Sequence, residues 1–82
     1  MKQTCYIVDY SDYEGMGTHY AFYKKEDAIK AMNTEFDNTI AELRSQGRPV
    51  ETMVNDFMLH KEIYVPNTGI YYEWNVEEST IE

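Results

Sequence analysis

The chain has 82 residues, of which 15 are acidic and 7 basic, so its formal net charge is −8. This length predicts one domain spanning residues 1–82, and the 43% of apolar residues is enough for one core. The charge disfavours direct binding to nucleic acid or to an anionic membrane and favours a basic protein partner, although acidity also serves solubility alone.

The first elements predict a β-hairpin. Residues 4–10 are rich in β-branched and aromatic side chains, as is the run at 18–23, and both are typical of strands. Residues 11–17 between them contain Gly15 and Gly17 and predict a loop. The only cysteine, Cys5, lies in the first apolar run, where a buried thiol with no internal disulfide partner is expected.

An apolar stripe then predicts one long amphipathic helix over residues 25–46. Its members recur every three or four residues: Ile29, Met32, Phe36, Ile40 and Leu43. Gly47 suits the position after the last turn, and Pro49 prevents continuation. The stripe is shorter than three heptads, so we expect it to pack on a sheet rather than form a coiled coil.

The second half predicts a second hairpin. Residues 49–58 have helical apolar spacing and favour either a short second helix or an irregular connection. Residues 57–65 and 70–77 favour strands, the latter with strict alternation, and residues 66–69 form a turn. The polar residues 78–82 are expected to fray.

The element order is therefore β-β-α-(α)-β-β. It predicts an α+β fold with an antiparallel four-stranded sheet of two hairpins and the long helix packed on one face.

Motifs for catalysis or cofactor binding are lacking. His19 and His60 have no second ligand at metal-site spacing in their own segments, and no glycine-rich phosphate loop is present. We therefore expect no enzyme activity, metal or cofactor. With no apolar run of ~18 residues and no signal-peptide cleavage site, we also expect a cytoplasmic protein.

The acidic residues of the hairpins are the best functional candidates. Glu73 and Glu77 point to one side of a strand, so a sheet face can carry an ordered row of negative charge that imitates phosphates. Exposed tyrosines suit a protein interface. The predicted partner-binding residues are Asp9, Asp12, Glu14, Glu62, Tyr64, Tyr71, Glu73 and Glu77.

The stretches 6–10, 22–29 and 71–78, with the Ser/Asp/Glu/Gly loop after the first, resemble small acidic proteins of phages and mobile elements of Gram-positive bacteria. Some phage proteins of this size and charge are anti-CRISPR or other anti-defence proteins. The resemblance implies a non-enzymatic inhibitor of a host protein, such as a CRISPR effector or another nucleic-acid-binding protein. The alternative is a structural or regulatory homodimer, paired through a sheet edge or through the patch of Met53, Phe57 and Met58.

Overall fold

The computed structural model describes residues 2–81 and contains five strands and one helix. The elements in chain order are β1 (Gln3–Asp12), β2 (Gly17–Phe22), α1 (Lys25–Ser45), β3 (Glu51–Asn55), β4 (His60–Tyr64) and β5 (Tyr71–Ile81). No helix in this part of the chain combines the length and the apolar character needed to span a membrane.

All five strands form one antiparallel sheet in the order β2-β1-β5-β4-β3. The central strands β1 and β5 pair from Gln3 opposite Ile81 to Asp12 opposite Tyr72. Both predicted hairpins, β1–β2 and β4–β5, are confirmed, as is the α+β class. The predicted fraying from residue 78 onward is wrong as far as Ile81, because this end of β5 pairs with β1; residue 82 lies outside the described residues.

The sheet has five strands rather than the predicted four, because residues 51–55 form β3 instead of a helix or an irregular connection. Val50, Met53 and Val54 do have helical spacing, but β3 lies at the sheet edge, where it pairs with β4 on one side only. All five of its residues are exposed. Pairing with β4 thus decides the structure where the apolar periodicity misleads.

The helix α1 matches its predicted bounds closely and has no side-chain cap at Lys24. Its C-terminus is closed by Gly47 in the left-handed conformation, with φ of 74°. The N–H of Gly47 donates to the carbonyl of Arg44 at 2.9 Å, and the N–H of Arg48 donates to the carbonyl of Leu43 at 3.0 Å. These two bonds close the last turn by pairing carbonyls at the helix end.

The core lies between α1 and one face of the sheet. Trp74 is its largest fully buried side chain, and its ring packs edge-on against Phe36 of α1 at a centroid distance of 5.8 Å. Val8 and Ile63 are fully buried beside it. Phe57, at the start of the strand predicted over residues 57–65, is instead 94% exposed in the connection between β3 and β4.

Candidate functional site

The sheet face opposite α1 is the candidate site, because no element of the described chain packs on it. Val8 and Val76 are paired in register and belong to the core, so their neighbours Ile7 and Glu77, which are also paired, point away from the helix. We call this side the open face. Its main residues are Ile7, Asp9, Ser11, His19, Ala21, Glu51, Met53, Asn55, His60, Glu62, Tyr64, Tyr71, Glu73, Asn75 and Glu77.

Most carboxylates of the strands lie on the open face, and only Asp12 and Glu78 of the described strands lie on the helix side. The open face carries five carboxylates, which belong to Asp9, Glu51, Glu62, Glu73 and Glu77. Lys61 is the only Lys or Arg within the five described strands, and it lies on the helix side, with its ammonium 4.6 Å from the centre of the Phe36 ring. The described strands therefore place no Lys or Arg on the open face.

Strand pairing places like charges directly opposite each other at the centre of the open face. Glu62 of β4 is opposite Glu73 of β5, an arrangement that destabilises a sheet unless other groups compensate. The hydroxyl of Ser11 donates to Oε1 of Glu73 at 2.9 Å. The hydroxyl of Tyr64 donates to Oε1 of Glu62. Each carboxylate is therefore fixed by a hydroxyl at one of its two oxygens.

His60 lies beside this carboxylate pair. Its Nε2 is 2.7 Å from Oε2 of Glu62, and its Nδ1 bonds to Oδ1 of Asn75, the residue opposite it on β5. Since both partner atoms are acceptors, these contacts favour the protonated ring, in which both nitrogens donate. Partial burial acts to lower the pKa of His60, but the hydrogen bonds to Glu62 and Asn75 and the charges of Glu62 and Glu73 outweigh it and raise the pKa above its ordinary value.

A second histidine–carboxylate pair lies in the same cross-strand row, toward the other edge of the sheet. His19 of β2 is opposite Asp9 of β1, and Nδ1 of His19 contacts Oδ1 of Asp9. The His19 side chain is 76% exposed, whereas that of His60 is 21% exposed. This pair is therefore the more solvated of the two, and it does not share in the group formed by His60, Glu62 and Glu73.

Two tyrosines end the open face near the turn between β4 and β5. Tyr64 and Tyr71 are opposite each other, and about two fifths of each side chain is exposed (41% and 40%). Glu51 of β3 lies opposite Tyr64 on its other side. Aromatic side chains of this exposure, next to a carboxylate, are suited to a protein contact.

Six of the eight predicted partner-binding residues share the open face: Asp9, Glu62, Tyr64, Tyr71, Glu73 and Glu77. The other two lie at the end of the β1–β2 hairpin. Asp12 accepts the Tyr10 hydroxyl at 2.8 Å and the backbone N–H groups of Glu14 and Met16 at 3.0 and 3.1 Å, so its carboxylate orders the loop. Glu14 is exposed in the turn itself.

The group of His60, Asn75 and Ser11 around the paired glutamates was not predicted from the sequence. A signal was present: His60 and Glu62 alternate on one strand face. Counting outward from the turn at residues 66–69 places Glu62 opposite Glu73 and His60 opposite Asn75, as observed.

Comparisons with protein-family models, with curated proteins and with solved structures found no significant match to this chain. The function is therefore inferred from the open face and its chemistry.

Proposed function

We propose that the open face binds a basic, nucleic-acid-binding surface of a host protein in the bacterial cytoplasm, and that the protein is a non-enzymatic inhibitor of the phage type. The observation that carries this proposal is the distribution of charge: five of the seven carboxylates of the described strands lie on the open face, and the only lysine of those strands lies on the other. A charge used only for solubility needs no such arrangement, since scattered charges serve equally well.

The geometry of a sheet supports the proposal further. Neighbouring strands are about 4.7–4.9 Å apart, and alternate residues along a strand about 6.6–6.8 Å, so the carboxylates form a two-dimensional array of fixed negative charge. A groove that captures nucleic acid presents Lys and Arg to a dense row of phosphates. Such a groove attracts this array, and the attraction also accelerates the encounter of the two proteins.

Tyr64 and Tyr71 supply the apolar part of such a contact. Buried aromatic anchors dominate binding energy in many interfaces, whereas solvated charges set the encounter rate and the specificity. The resemblance to phage-borne anti-defence proteins favours a CRISPR effector or another nucleic-acid-binding defence protein as the partner.

The proposal is tested by capture followed by competition. The protein is immobilised, exposed to lysate of a Gram-positive host at low salt, and washed first with a DNA oligonucleotide and then with about 1 M NaCl, where charges act over only about 3 Å. We expect nucleic-acid-binding proteins in the DNA wash. Partners released by salt but not by DNA would contradict the proposal, because they would not be held at a nucleic-acid groove.

A homodimer is the second candidate, and the outer edge of β3 favours it. No strand of the described chain pairs with that edge. Met53 of β3 and the apolar Phe57 and Met58 of the connection that follows it are exposed, with exposed fractions of 46%, 94% and 64%. Edge strands of this kind pair readily with a copy of themselves. Size-exclusion chromatography with light scattering tests the dimer, and a monomer at all concentrations would exclude it.

A further inference from the structure

His60, Glu62 and Glu73 form a group of three potential metal ligands at the centre of the open face. One donor atom from each residue lies within 4.8 Å of the other two, and all three residues are half-buried. Within residues 2–81, no other group of three His, Cys, Asp or Glu side chains is as close. The three ligands come from two paired strands of the sheet, which gives them a rigid base.

Each of the three is held by a residue outside the group. Asn75 accepts from Nδ1 of His60, Tyr64 donates to Oε1 of Glu62, and Ser11 donates to Oε1 of Glu73. Each potential ligand therefore keeps one further donor atom that these supports do not use. Orienting bonds of this kind, above all one from the second nitrogen of a histidine, are typical of metal sites in proteins.

We propose that His60 Nε2, Glu62 and Glu73 bind one divalent transition-metal ion, with Zn²⁺ the best match. The imidazole nitrogen disfavours Mg²⁺ and Ca²⁺, which prefer oxygen ligands only. One nitrogen with carboxylate oxygens suits Zn²⁺, which accepts bonds of about 2.0–2.2 Å to both. Three protein ligands leave a fourth tetrahedral position for water or for a side chain of a bound partner.

The metal requires only a small contraction of the group. Bonds of about 2.1 Å in a tetrahedron place the donor atoms about 3.4 Å apart, compared with separations of up to 4.8 Å in the structure. The glutamates have rotatable side chains that can supply this movement. His60 binds as the neutral imidazole, so Nε2 releases its proton to solvent and Glu62 exchanges a hydrogen bond for coordination.

Charge favours the cation as well. Glu62 and Glu73 repel each other across the strand pair, and no Lys or Arg of the described strands lies on this face to neutralise them. A divalent cation between them removes this repulsion. The inference does not depend on the proposed protein partner, since it concerns the free protein.

The experiment is a calorimetric titration of the full chain, first treated with a chelator, with ZnCl₂ and in parallel with MgCl₂. We expect one saturable Zn²⁺ site per chain and no saturable Mg²⁺ binding. His60→Gln and Glu73→Gln should each weaken Zn²⁺ binding at least about ten-fold, and Asn75→Ala should weaken it roughly ten-fold with His60 intact, because Asn75 positions the ring. Circular dichroism of each variant verifies folding, and Glu62→Gln replaces any variant that does not fold.

His19→Gln is the matched control, since it removes a histidine–carboxylate pair from the same cross-strand row but no member of the group. It should leave the Zn²⁺ affinity unchanged. The proposal is overturned if no saturable binding occurs up to about 1 mM Zn²⁺. It is equally overturned if His19→Gln weakens binding as much as His60→Gln, because the metal would then be held by surface histidines in general.

Discussion

Replacing Trp74 with Ala should remove a large part of the folding stability, whereas replacing Phe57 with Ala should leave it nearly unchanged. Trp74 is 1% exposed and contacts the rings of Tyr10, Phe36 and Tyr72 at centroid distances of 5.3, 5.8 and 6.4 Å. Phe57 is 94% exposed. The two aromatic residues therefore provide a matched pair, one inside the core and one outside it.

The magnitude follows from burial. Large-to-small substitutions of buried Phe or Trp cost about 3–5 kcal/mol, since both the transfer term and the cavity contribute. A domain of this length has a free energy of unfolding of about 4–12 kcal/mol, at roughly 0.05–0.15 kcal/mol per residue. Trp74→Ala thus removes a large part of this free energy, so Trp74→Phe, which keeps a ring, is included as the intermediate variant. Phe57→Ala should change the free energy of unfolding by less than about 0.5 kcal/mol.

Urea denaturation followed by far-ultraviolet circular dichroism measures all three variants, since the signal does not depend on the only tryptophan. The expected order of stability is native and Phe57→Ala together, then Trp74→Phe, then Trp74→Ala. A loss below about 1 kcal/mol for Trp74→Ala would refute the placement of the core, because a cavity of this size lowers the free energy of unfolding by more than that. A loss above about 2 kcal/mol for Phe57→Ala would refute the exposed connection between β3 and β4.

Three further predictions concern the helix end, a half-buried carboxyl and the thiol. Gly47→Ala should cost about 1–2 kcal/mol because φ is 74° there, whereas Gly69→Ala, with open space and no positive φ, should cost much less; chemical denaturation of both checks this. Burial raises the pKa of Glu35 above its ordinary value of 4.5, so ionisation of this carboxyl opposes folding and stability falls as pH rises through the folded-state pKa. The Tm of Glu35→Gln should therefore exceed that of the native protein by more at about pH 7 than at about pH 4. An equal difference at both pH values would contradict this. Cys5, which is 3% exposed, should react with a thiol reagent rapidly in urea and slowly in buffer, and equal rates would show that it is not buried.

Much of the fold follows from periodicity. The helix stripe around Met32 and Phe36 and the alternation of Tyr72, Trp74 and Val76 each describe one buried face, and the structure buries those faces. The strand β3 could not be recognised in this way. An edge strand exposed on both sides has no buried face, so its sequence carries no alternation, and pairing with β4 determines it.

The candidate site, too, could be predicted only where alternation within one strand was sufficient. Glu73 and Glu77 were placed on one face by alternation alone. The approach of Glu62 and His60 to Glu73 depends on the register between two strands, which the turn at residues 66–69 sets. Asp12 was grouped with the surface acids, but it is used by the hairpin loop, because a short carboxylate at a turn accepts nearby backbone N–H groups.

The affinity of two charge-reversed variants for the partner that DNA elutes tests the central claim most directly. One variant reverses the open face (Glu51→Lys with Glu77→Lys), and the other changes the net charge equally on the exposed side of α1 (Asp37→Lys with Glu42→Lys). None of these residues belongs to the group around His60, so the result is independent of metal binding. We predict that the open-face variant binds at least about ten-fold more weakly, equivalent to about 1.4 kcal/mol, while the helix variant retains most of its affinity. Equal losses in both variants would contradict the account, because net charge rather than an ordered acidic face would then determine binding.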